Sequence, residues 1–147
     1  MSAQIPFDFV AIRERQQLSF GAVETAQYPD GGPLQHVLEA QDDDSTLTLL
    51  NDIVEKNDSA AAAAPDIDLL HRALLMRAQV YLRKLKLIWA RNDVQRAIIT
   101  KPKHVFAYGL LSDVELGREQ FGRAEVALRL GLLLDPNHVN LKEKLRR

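Results

Sequence analysis

Apolar residues recur at steps of three and four through the second half of the chain. Ile67, Leu70, Leu74, Ala78, Tyr81 and Leu85 fall on one helical face. Pro65 and Asp66 just ahead suit a helix start. Ala90, Val94, Ala97 and Ile98 mark a second helix. Pro102 sets its end near Thr100, because the residue before a proline avoids helical geometry. Tyr108, Leu111, Ser112 and Leu116 mark a third, which runs into Gly117. Ala124, Leu128, Gly131 and Leu134 mark a fourth, stopped by Asp135-Pro136-Asn137. A short last stretch, 139–147, sets Leu141 and Leu145 four apart among charges.

The segment 1–66 is less regular. Phe7, Val10, Ala11 and Leu18 fit a short helix ending at Gly21, while Ile5, Phe7, Phe9 and Ala11 alternate as a strand would; helix is the preferred reading. Residues 28–33 form a loop of Pro, Asp and Gly. Leu34, Val37 and Leu38 predict a short helix after Pro33. The run Asp42-Asp43-Asp44-Ser45 supplies acids and an N-cap for a helix carrying Leu47, Leu50, Ile53 and Val54. Ala60 to Ala64 reads as a linker in preference to a backward extension of the next helix.

A pattern then repeats at a constant interval. Leu74 answers to Tyr108, Ala78 to Ser112, Ala90 to Ala124, Ala97 to Gly131 and Pro102 to Pro136. The three inner pairs are all small, which is what closely approaching helices need. On these residues and their spacing the segment 71–138 resembles two consecutive tetratricopeptide repeats, and 139–147 is similar to the polar capping helix of such arrays. Tyr81 matches the family's aromatic in the first helix, and Phe121 matches the aromatic before the second, where the first unit has Leu87. The frequent tryptophan is Leu74 and then Tyr108; the frequent glycine is Ala78 and then Ser112. Glu115 holds an aromatic site, and the inter-helix glycine is missing from Arg83-Lys84-Leu85-Lys86. The resemblance implies an all-α fold: antiparallel helix-hairpin repeats in a short α-solenoid, with an irregular N-terminal arm. The expected divisions are an arm at 1–33, a possible diverged third repeat with its Ala-rich linker at 34–66, and the clear repeats with their cap at 67–147. Stacked repeats bury their faces only against neighbours and need about three units. Phe7, Phe9, Leu34, Leu38, Leu47 and Leu50 are therefore expected to cover the first unit.

Composition narrows the chemistry. Cysteine is absent, which excludes disulfides, zinc thiolates and thiol nucleophiles. No apolar run reaches a membrane span, and the N-terminus resembles neither a secretory signal nor a presequence, so a cytoplasmic protein is expected. Gly31-Gly32 lacks the rest of a phosphate loop. His36, His71, His104 and His138 never fall at helical ligand spacing and are expected at surfaces or turns, and Asp42 to Asp44 lacks a calcium-loop pattern. No serine and histidine are placed as a triad. The chain reads as a non-enzyme with no cofactor and no metal. Trp89, the only tryptophan, is expected to fill helix packing rather than to anchor a partner.

The net charge of −1 is unevenly spread. Residues 1–70 hold 13 acids and 3 bases; residues 71–104 hold 9 bases and one acid, Asp93. The acidic half packing beside the basic half is one explanation, and a basic binding face is the other. Three functions follow, in order of preference. The first is an adaptor that takes a protein segment in a concave groove. The second is a scaffold subunit of a larger assembly. The third is a nucleic-acid binder using Arg72, Arg77, Arg83, Lys84, Lys86, Arg91, Arg96, Lys101 and Lys103, although these encircle the helices and lack interleaved stacking aromatics. By resemblance, the groove is lined by Arg72, Leu75, Gln79, Leu82 and Arg83 from one helix, then Phe106, Gly109, Asp113 and Leu116 from the next. It has a small open site at Gly109 and suits an amphipathic segment with acidic flanks, the chain's own residues 1–30 being one candidate. A clamp for a chaperone's acidic C-terminal tail is not expected, since Leu75, Gln79, Leu110 and Asp113 stand where that clamp needs positive charge.

Overall fold

The computed structural model describes residues 42–57 and 65–146, together with Leu34, Val37 and Ala40. The arm at 1–33 and the Ala60 to Ala64 linker lie outside the described residues, as do Leu38 and His36. Among the described residues the chain is all-helical. Its helices are α1 (Asp43–Asn57), α2 (Ile67–Arg83), α3 (Leu87–Thr100), α4 (Val105–Gly117), α5 (Phe121–Leu134) and α6 (Val139–Arg146).

Local chemistry sets the boundaries. Asp42 caps α1, its Oδ1 accepting from the Ser45 N–H at 2.7 Å. That hydrogen bond holds the Asp42 carboxyl below its ordinary value. Asp66 caps α2 by accepting from the Leu69 N–H at 3.0 Å. The Asp66 N–H donates to Asn57 Oδ1 at 2.9 Å, so the end of α1 and the start of α2 lie together.

α2 pairs with α3, and α4 with α5, as antiparallel hairpins, and α3 against α4 joins the two. α1 packs on α2 as α3 does on α4, and α6 closes the far end on α5. The repeat is present in the backbone hydrogen bonds. Lys84 N–H donates to Val80 O and Lys86 N–H to Tyr81 O; at the equivalent places in the second hairpin Arg118 donates to Val114 O and Gln120 to Glu115 O. Leu85 and Glu119 hold the same place in the two turns, and both have φ of 60°. Such a left-handed conformation is one that glycine adopts most readily. The chain makes both turns without glycine and bears the strain.

The core runs from Leu34, Val37, Leu50 and Val54 through α2 to Val94, Ala97 and Val114. Leu47 packs against it from the rim. The small residues sit where the period requires: Ala78, Ala90, Ala97, Ser112, Ala124 and Gly131 are all buried. Gly131 shows why. A Cβ there would stand 2.6 Å from Leu141 and 3.1 Å from Tyr108.

Candidate functional site

α2 is the central helix, and it is buried on almost every side. Arg72, Leu75, Gln79, Leu82 and Arg83, the groove wall expected from this helix, are all buried. Gln79 Nε2 donates to Leu75 O at 3.2 Å, and Arg83 Nη2 donates to Asp43 of α1 at 2.8 Å. The α4 side of the groove is occupied too. Gly109 is not an open site: a Cβ there would come within 3.0 Å of Leu141 Cδ2. Lys144 of α6 bonds both carboxylate oxygens of Asp113 at 2.6 Å. The helix read as a polar cap therefore inserts Leu141 between α4 and α5 and pins itself with Lys144. Phe106 is half-buried against the core, edge-on to His104 at 6.2 Å, and Leu116 is half-buried. Of the expected groove residues, the five on α2 and Gly109 are thus buried and Asp113 is bonded to Lys144, whereas Phe106 and Leu116 are half-buried. The candidate occupant, residues 1–30, lies outside the described residues.

Several of the unevenly spread charges are paired across helices. Arg77 makes a two-point bond to Asp93, both contacts at 2.7 Å, and reaches Asn51 Oδ1 at 3.0 Å. Lys84 meets Asp44 at 2.9 Å, and Lys101 meets Asp68. Arg91 approaches Glu115 at 3.4 Å, with Arg118 on its other side. Acids of α1 and the start of α2 thus face the bases of the first hairpin: Asp43 with Arg83, Asp44 with Lys84, Asp68 with Lys101. Among the described residues these three pairs set an acidic segment against a basic one. Glu115 is buried with two arginines, Arg91 and Arg118, on its carboxylate.

Two further expectations are corrected. His71 is not a surface residue. It is fully buried, its Nδ1 lies 3.2 Å from Ala97 O, and its ring meets His104 edge-on with centroids 4.6 Å apart. It answers to Val105, the first residue of α4, whereas α2 begins a turn earlier and carries His71 inside. Burial, reinforced by the neighbouring His104, pushes its pKa down to about 4. Trp89 is not packing filler. It stays 54% exposed at the tip of the first hairpin, edge-on to Tyr81 at 5.5 Å, with the Lys86 ammonium 5.4 Å over its ring. Leu85 and Ile88 are exposed beside it in sequence. At the matching tip of the second hairpin stand Glu119, Gly122 and Arg123.

The sequence reading also missed apolar residues on the outer side of α5, where Val126, Leu130 and Leu133 are exposed. The signal was present. Ala124, Leu128 and Gly131 already account for the buried side, so α5 is apolar on two faces. Among the described residues no group of three His, Cys, Asp or Glu could hold a metal ion, and no helix is long and apolar enough to cross a membrane. Comparison of the chain with models of protein families, with curated proteins and with solved structures finds no match.

Proposed function

We propose that this chain is a non-catalytic protein–protein interaction module of tetratricopeptide-like repeats, working in the cytoplasm as a scaffold subunit of a larger assembly. The observation that carries the reading is Trp89. A half-exposed tryptophan at a hairpin tip, braced by Tyr81 and Lys86, is the residue type that anchors protein interfaces. The peptide adaptor takes second place, because seven of the nine residues that would receive the peptide are buried or bonded within the fold. Nucleic-acid binding ranks third, because five of its nine candidate bases are paired to carboxylates.

The test is purification of the tagged full-length chain from native extract, with the wild type beside Trp89→Ala and a variant lacking residues 1–20. A scaffold contact at the hairpin tip predicts partners that come with the wild type, are lost with Trp89→Ala and persist in the deletion. Partners retained by Trp89→Ala, with acidic amphipathic peptide binding gained on deletion, would replace the scaffold with the adaptor.

A further inference from the structure

α6 is held in place by little. Of its eight residues only Leu141 is buried, whereas every other described helix buries at least three. A helix this short is not stable alone, so its order comes from docking. Leu141 enters a socket shaped to it. Its Cδ1 and Cδ2 lie 2.6 and 3.0 Å from where a Cβ would stand on Gly131 and Gly109. Both glycines fall inside helices, α5 and α4, where glycine is a weak choice. Each makes room for one methyl of the same leucine. One turn beyond Gly109, Asp113 takes the Lys144 ammonium on both carboxylate oxygens at 2.6 Å. Lys144 stands three residues after Leu141, on the same side of α6. At the interval that relates the repeats, Ala107 answers to Leu141, Leu75 to Gly109, Ala97 to Gly131 and Gln79 to Asp113. In the first hairpin the large residue, Leu75, is on the receiving helix and the small one, Ala107, on the arriving helix. At the end of the stack the sizes are exchanged and an acid is added, so this end is keyed to a leucine and a cation.

We propose that this end of the second hairpin is a docking socket for a partner's amphipathic helix bearing Leu and Lys three residues apart, and that α6 is its intramolecular occupant, displaced when such a helix binds. The occupant seated in the fold defines the partner's chemistry. A branched apolar side chain goes between the two glycines, an ammonium goes to Asp113, and the rest of the helix is polar. One buried side chain and one ion pair partly open to water make α6 the described helix whose local opening costs least. The socket therefore comes free while both hairpins stay folded. A partner helix longer than α6 is better formed before it docks, which favours the outside occupant. The site lies on α4 and α5, whereas Trp89 lies on the first hairpin, so it does not rest on the scaffold reading and fails or stands separately from it.

The probe is a peptide of residues 135–147, labelled at its N-terminus and titrated with the full-length chain by fluorescence anisotropy. The wild type is expected to bind it weakly, because its own α6 competes, and Leu141→Ala at least about tenfold more tightly. Lys144→Glu, which breaks the ion pair and leaves Leu141 in place, should move the same way and gives the answer where Leu141→Ala fails to fold. Gly109→Ala added to Leu141→Ala reads the socket itself. The new Cβ has the Leu141 side chain as its only close neighbour, so with that side chain removed it strengthens α4. It nevertheless blocks the peptide's leucine, and binding should fall at least about tenfold. On the wild type, saturating peptide should speed hydrogen exchange in α6 and leave α2 protected. Absence of binding to both loosened variants, wild-type binding as tight as that of Leu141→Ala, binding indifferent to Gly109→Ala, or α6 amides unchanged at saturation would each overturn the proposal.

Discussion

Replacing Glu119 by glycine should stabilise this protein, although glycine usually weakens a fold. Glu119 holds φ of 60° in the turn between α4 and α5, with its side chain exposed. An L-residue in this region costs roughly 1–2 kcal/mol, because Cβ crowds the following carbonyl. Glycine removes that cost and adds roughly 0.5–1 kcal/mol of unfolded-chain entropy to be overcome. The net gain lies between about 0 and 1.5 kcal/mol, centred near 0.75. At roughly 2–4 °C per kcal/mol for a chain near this size, the central value raises the midpoint by about 1.5–3 °C. Leu85, at φ of 60° in the first turn, offers the same gain less the packing of a partly covered leucine. The two turns lie in different hairpins, so their effects should add. The assay is urea unfolding followed by circular dichroism, comparing Glu119→Gly with Glu119→Ala at unchanged denaturant slope. Alanine keeps Cβ and should give no gain. If Glu119→Gly unfolds at the same or lower urea than Glu119→Ala, the left-handed strain assigned to the turn is refuted.

Three further outcomes follow from the same geometry. Ala90 is fully buried where α3 meets its neighbours, so Ala90→Leu should overpack the contact and cost about 1–3 kcal/mol in urea unfolding. His71 sits at a pKa of about 4, below its unfolded value, so folding favours the neutral ring. The unfolded chain then binds more protons between about pH 6.5 and 4. The contribution is intact above that window and is lost as the pH falls, by about 2 kcal/mol from pH 7 to 5. Asp68, His104 and Lys101 face the same ring, so the check is the difference in pH dependence between the wild type and His71→Gln, which should lack this fraction of the loss. Leu141 is the single buried residue of α6, and Leu141→Ala should cost about 2–4 kcal/mol. Hydrogen exchange should then rise first in α6, while amides of α2 stay protected.

The periodicity and the punctuation determined the helices. Asp42, Asp66, Pro102 and Pro136 begin or end helices where local chemistry alone predicts, because capping and the missing proline N–H act over a few residues. The small residues at 78, 90, 97, 112, 124 and 131 announced helix contacts, because close approach demands small side chains at any fold's crossing points. What lines a groove was not legible. The α2 residues alternate between possible neighbours, and only the tertiary arrangement decided that Arg72, Leu75 and Gln79 are covered and that Leu141 and Lys144 take the space beside Gly109 and Asp113. Trp89 and His71 exchanged roles for the same reason. A residue's type records its appetite for burial, whereas its depth depends on which helix lies opposite. The charge imbalance was visible as a sum, but its resolution into Asp43–Arg83, Asp44–Lys84 and Asp68–Lys101 needed segments far apart in sequence to meet. Local order was written in short-range chemistry; the surface left for a partner was decided by what the stacked helices had already used.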